Sequence, residues 1–170
     1  MRLYQGRVPT VAADVIRTLV DAGDIEVKNR NEAEMDVQSV LKEYLRTERE
    51  ISDQARQMLD QRGLSHEQFG RTRRTLAEQR GLGLGEDSIP WISNQVIEVF
   101  MHSAHIDEVF ADDGTLRVKL KDILRKHMAI DDEIEGEARR RIQNLQEGTS
   151  AWEVEYARAM AEIKRARGLD

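Results

Sequence analysis

The sequence contains no cysteine. Disulfides, thiol catalysis and thiolate metal sites are therefore excluded. Proline occurs only twice in 170 residues, so few positions interrupt a helix by their own geometry. There is no basic excess: the formal net charge is −6. That argues against generic binding to a phosphate backbone, where surplus positive charge supplies most of the affinity. No apolar run approaches membrane-spanning length, and the start, Met1-Arg2-Leu3-Tyr4-Gln5-Gly6-Arg7, lacks the apolar stretch of a signal peptide. The expected location is cytoplasmic. A glycine-rich segment, Gly81-Leu82-Gly83-Leu84-Gly85, is followed by no Lys-Ser/Thr pair and preceded by no buried strand. It reads as a flexible linker, not a phosphate loop.

What is present is a repeat. Val8-Pro9-Thr10-Val11 through Val15-Ile16 returns as Ile89-Pro90-Trp91-Ile92 through Val96-Ile97, and the two prolines open two similar stretches 81 residues apart. Hydrophobic residues at 39 % and charged residues at 34 % suit a helix-rich chain with long exposed faces.

In the first half, Pro9 suits the first turn of a helix. Val11, Val15, Ile16 and Leu19 then form one apolar stripe. Ile25 and Val27 alternate with charged residues in a connection able to hold a short extended segment. Asn31 and Glu34 are spaced as a capping pair for a long helix to about Arg62. Val37, Tyr44, Ile51 and Met58 fall seven apart along it, with Leu41, Glu48 and Ala55 between them, a heptad-like stripe. Such a helix would span roughly 45 Å and needs something packed along all of it. Gly63 stops it, and Ser65-His66-Glu67-Gln68 is a capping box for a third helix carrying Phe69, Thr72 and Leu76 inward.

The second half repeats the order. Val96, Ile97, Phe100 and Met101 stand where Val15, Ile16, Leu19 and Val20 stood, and Ile106 where Ile25 stood. Leu120, Ile123, Leu124, His127, Ile134 and Ala138 replace Val37, Val40, Leu41, Tyr44, Ile51 and Ala55 in a second long helix. Gly148 and a capping box at Ser150-Ala151-Trp152-Glu153 open the last helix. The expected fold is all-α: two pseudo-symmetric three-helix repeats, short, long and medium, packed through their long helices. Their boundaries are 1–82 and 89–170, with the glycine-rich linker at 83–88.

Met1-Arg2-Leu3, the acidic Asp24-Ile25-Glu26 after a Val-Ile helix, and Gly148-Thr149-Ser150-Ala151-Trp152-Glu153-Val154-Glu155-Tyr156 with its basic helical tail resemble the bacterial domain-of-unknown-function family 507. The resemblance implies a tandem duplication in which one unit corresponds to either half, and it implies no activity. The first half departs from the tail motif, with Glu67 where Trp152 stands. A proline-opened short helix, a β-type connection and a long central helix also resemble a histone fold. Two in tandem would cross their long helices as a handshake.

Few residues offer chemistry. His102 and His105, three apart with Asp107 following, share a helical face as a metal site requires. Histidines near a helix C-terminus are also favoured by the helix dipole alone, so no metal or other cofactor is expected. Glu48 and its counterpart Asp131 fall on apolar stripes and are read as partly exposed seam positions. Di-metal carboxylate bundles need Glu-x-x-His pairs, and none occurs. Arg71, Arg73, Arg74 and Arg80, with Arg139, Arg140 and Arg141, could grip phosphates, but Glu135 and Glu137 lie four residues before Arg139 and Arg141. Trp91, Trp152 and Tyr156 are the candidates for binding a protein partner, or else anchors of one helix on another.

No nucleophile set or phosphate loop is present. The function expected is a non-catalytic scaffold or adaptor that binds another protein through helix faces. The chain would be a monomer with an internal pseudo-two-fold axis or a homodimer. The alternatives are a nucleic-acid-binding protein of histone-like or related helical type and, more remotely, a metal-binding or enzymatic role.

Overall fold

The short Val8–Asp21 helix (α1), with Pro9 in its first turn, buries Val11, Val15, Ile16 and Leu19 on one face, as its spacing dictates. A computed structural model describes residues 1–170. After α1 come β1 (Ile25–Val27), α2 (Arg30–Arg62) and α3 (Phe69–Gln79). Then follow α4 (Ser88–His102), β2 (Ile106–Val109), α5 (Asp113–Met128), α6 (Ile130–Arg141) and α7 (Ser150–Ala166). The fold is all-α, with β1 and β2 forming one small antiparallel pair in which Ile25 faces Val109 and Val27 faces Ile106. No helix is long and apolar enough to cross a membrane.

Helix ends depart from the sequence reading in detail. Asn29, not Asn31, caps α2: its backbone is extended and its side chain accepts from the Glu32 N–H at 3.2 Å. Thr149 rather than Ser150 caps α7, accepting from the Trp152 N–H at 3.2 Å. Ser65 makes no side-chain cap, because a 3₁₀ turn at His66–Gln68 intervenes before α3. Gly63 ends α2 with φ +61°, a conformation that strains a side-chain-bearing residue.

The second long helix is divided. At Ala129 the backbone tightens to φ −64°, ψ −16°, and the Asp132 N–H reaches back only three residues to the Ala129 carbonyl. The division splits the apolar stripe between two cores. Leu116, Leu120, Leu124 and Met128 join a main core of 29 buried residues drawn from both halves. Ile134 and Ala138 instead form a second core of six with Tyr4, Ala159, Ile163 and Leu169. In α2 the matching Ile51 and Ala55 stay in the main core. The α6–α7 hairpin is thus an arm with a small core of its own.

The packing of the halves also differs from expectation. The two long helices are not each other's main partners. Instead α2 lies against α4, α1 lies against α5, and β1 pairs with β2. This reciprocal arrangement replaces both long-helix-on-long-helix packing and the crossed handshake. Tyr44 on α2 meets Trp91 on α4 with ring centroids 5.6 Å apart and planes tilted by 54°. Each fully buried leucine of this core, such as Leu41, Leu120 or Leu124, contributes about 1.5–3 kcal/mol.

The glycine-rich segment is held in place, contrary to the flexible-linker reading. Leu82 is in the core, and the Tyr44 hydroxyl donates to the Gly83 carbonyl at 3.0 Å. A Cβ at Gly83 would lie 1.9 Å from the Asp87 carbonyl oxygen, so only glycine fits there.

Candidate functional site

α7 turns Ala159 and Ile163 inward onto α6, one helical turn apart. Trp152 and Tyr156, also one turn apart, stack with centroids 4.7 Å apart and planes within 9°. The Arg139 guanidinium from α6 lies 5.8 Å from the Tyr156 ring centroid. Burial, and then the Glu135 charge, raise the Tyr156 hydroxyl above the ordinary phenol value. The outer side of α7 carries an open groove of about 450 Å³, floored by Tyr156, Ala157, Met160 and Ala161 and edged by Lys164 and Arg165. Val154 is 66 % exposed. Trp152 and Tyr156 therefore form one half-buried aromatic platform. Trp91 lies away from it, against Tyr44 beside the main core.

Two contiguous hollows lie beside the arm. The outer one, about 440 Å³, is walled by Arg49, Ser52 and Arg56 of α2 and by Lys164 of α7, with Arg2 and Leu3 on its floor. The inner one, about 310 Å³, shares Arg2, Ser52 and Arg56 and adds Tyr44, Phe69 and Met128. Glu48 lines both. It is only 9 % exposed, not the half-open seam position its spacing suggested, and Arg73 meets it at 3.2 Å. The same Arg73 donates from Nε to the Ser52 hydroxyl at 3.0 Å. Its counterpart Asp131 accepts from the Tyr4 hydroxyl.

The candidate metal ligands do not converge. His102 is exposed and meets Glu98 at 3.4 Å. His105 turns to Asp36 at 3.0 Å. Asp107 pairs with Lys28 at 3.5 Å. No group of three histidines or carboxylates is arranged to hold a metal ion. The arginines divide as well. Arg80 faces Glu50, Arg139 faces Glu135, and Arg141 faces Glu137 and Glu162. Arg71, Arg74 and Arg140 face no carboxylate, but they sit on two different helices, α3 and α6.

Sequence reasoning missed a buried polar chain joining the halves. The Arg7 guanidinium has only donors, so its 2.8 Å contact makes His127 Nδ1 the acceptor and leaves the ring proton on Nε2. That N–H donates to Asp14 at 2.7 Å. Arg17 also pairs with Asp14. Burial raises the Asp14 carboxyl, but the bonds from His127 and Arg17 outweigh it and hold the group below the ordinary carboxylate range. Both imidazole nitrogens are occupied, so His127 has none free to take a substrate proton. The signal was present in Asp14 and His127, each on the apolar stripe of its helix.

No curated protein matches the chain. The family model described as a protein of unknown function (DUF507) spans residues 1–169 in one match. With both halves inside that single span, the chain belongs to the DUF507 family.

Proposed function

We propose that the protein is a non-catalytic helical adaptor and that the α7 face of its C-terminal arm receives an acidic, amphipathic helix of another protein. The observation that carries this reading is the stacked Trp152–Tyr156 pair beside an apolar groove with no partner helix on its outer side. Tryptophan, tyrosine and arginine are the residues that dominate binding energy at protein interfaces, and Arg139 completes the set. Lys164 and Arg165 edge the groove with no ion-pair partner, against the single carboxylate of Asp170, and this balance favours an acidic occupant. A groove floor of Tyr156, Ala157, Met160 and Ala161 suits a helix presenting apolar residues one turn apart.

We further propose a cytoplasmic location and an internal duplication, with repeats at 1–82 and 89–170. The recurring helix–strand–helix order and the reciprocal packing of α2 on α4 and α1 on α5 support that view. One repeat then diverged at Trp152, where the other keeps Glu67. Nucleic-acid binding is the weaker reading, because Arg73, Arg80, Arg139 and Arg141 are each matched by a carboxylate. Affinity capture from native cells tests the adaptor proposal. A stoichiometric protein partner should be recovered with the wild type and lost with Met160→Glu, and recovery of nucleic acid alone would overturn it.

A further inference from the structure

The outer hollow between α2 and α7 concentrates positive charge in a protein whose net charge is −6. Arg2, Arg49, Arg56 and Lys164 line it, against Glu48 and Asp170. Glu48 is already matched by Arg73, and Arg56 by Asp53 at 2.9 Å. Arg2, Arg49 and Lys164 have no carboxylate partner, and they come from three separate parts of the chain. The Arg2 guanidinium and the Lys164 ammonium stand over the same Tyr4 ring, 5.6 and 5.4 Å from its centroid. The Tyr4 hydroxyl is tied to Asp131, so the ring is a fixed platform shared by both cations. Cations lining one hollow repel, and an anion bound between them would relieve that repulsion. Ser52 accepts from Arg73 and keeps its own hydroxyl proton for another acceptor.

We propose that this hollow binds a small organic phosphate, with the phosphate among Arg2, Arg49, Lys164 and Ser52 and an aromatic body in the inner hollow beside Phe69 and Met128. Several cations and a hydroxyl around one space suit a dianion with several acceptor oxygens better than a lone carboxylate. The inner and outer hollows, about 310 and 440 Å³, fall within the range of small-molecule sites. Phe69 lies inside the inner one with Arg56 5.3 Å from its ring centroid, a surface on which a planar group can stack. This inference does not rest on the adaptor reading: Lys164 lines both the hollow and the α7 groove, but Arg2, Arg49 and Ser52 line the hollow alone, and Arg49 is the residue tested.

Calorimetric titration of the full chain at low salt with inorganic phosphate, glucose 6-phosphate and adenosine monophosphate tests it. All three should bind, with the adenylate tightest. Arg49→Gln should weaken each by about tenfold or more, as expected for one lost charge-assisted contact. Phe69→Leu should weaken only the adenylate. Lys121→Gln, exposed on α5 away from the hollow, should change nothing. No binding of any of the three at millimolar concentration, or equal losses with Arg49→Gln and Lys121→Gln, overturns the site. A sugar phosphate that binds as tightly as the adenylate overturns the aromatic-body assignment.

Discussion

Replacing Asp14 by alanine isolates the buried chain that joins α1 to α5. The substitution leaves the His127 Nε2–H buried with no acceptor, at a cost of about 1–3 kcal/mol. Arg17, 61 % exposed, returns to water and adds little. Alanine recovers roughly 0.5 kcal/mol through its better helix propensity. Because the lost bond was to a carboxylate, that penalty falls in the upper part of the range, about 1.5–3 kcal/mol, and the net deficit is about 1–2.5 kcal/mol. For a chain of this size that corresponds to a drop in melting temperature on the order of 5 °C. Asp14→Asn keeps an acceptor for His127 and should lose about half as much. The pH dependence has a definite sign. The folded-state pKa of Asp14 lies below its unfolded value, so its contribution is complete above about pH 4 and is lost as pH falls through the lower folded value. Urea unfolding followed by circular dichroism should show a wide gap between wild type and Asp14→Ala at pH 7, narrowing below pH 4. A deficit under about 1 kcal/mol at pH 7, or a gap that does not change with pH, refutes the reasoning.

Gly83→Ala should destabilise by several kcal/mol, because its Cβ would meet the Asp87 carbonyl oxygen at 1.9 Å and the backbone must move; a thermal melt checks this, and an unchanged midpoint contradicts it. Glu48→Ala should cost about 1–3 kcal/mol by removing the partner of Arg73. A double-mutant cycle with Arg73→Ala, read by denaturant unfolding, should give a coupling of about 0.5–2 kcal/mol, and additive effects would show that the pair is incidental.

Much of the fold was legible because helix periodicity is local. The stripe from Val11 to Leu19, the seven-residue spacing through Val37, Tyr44 and Ile51, and the stop at Gly63 all appear as read. What was not legible depends on which faces meet. Glu48 sits at a position that spacing alone leaves half open, and it is α3, from elsewhere in the chain, that brings Arg73 to pair with it. The division at Ala129 has no proline or glycine to announce it. It follows from Ile134 and Ala138 joining Tyr4 and α7 in a separate core. The glycines at 81–85 looked flexible because glycine is permissive, yet Gly83 is required by crowding. At the candidate site, the stacking of Trp152 on Tyr156 follows from their four-residue spacing. The convergence of Arg2, Arg49 and Lys164 joins residues far apart in the chain, and no local pattern carries it.

The α7 face of the arm is proposed as a docking surface for another protein. Affinity capture from native cells with wild type, Met160→Glu and Trp91→Phe proteins of equal stability measures it most directly. A stoichiometric partner with an acidic amphipathic helix is expected, retained by Trp91→Phe and lost with Met160→Glu. A partner that Met160→Glu still retains, or no stoichiometric partner at all, would contradict it.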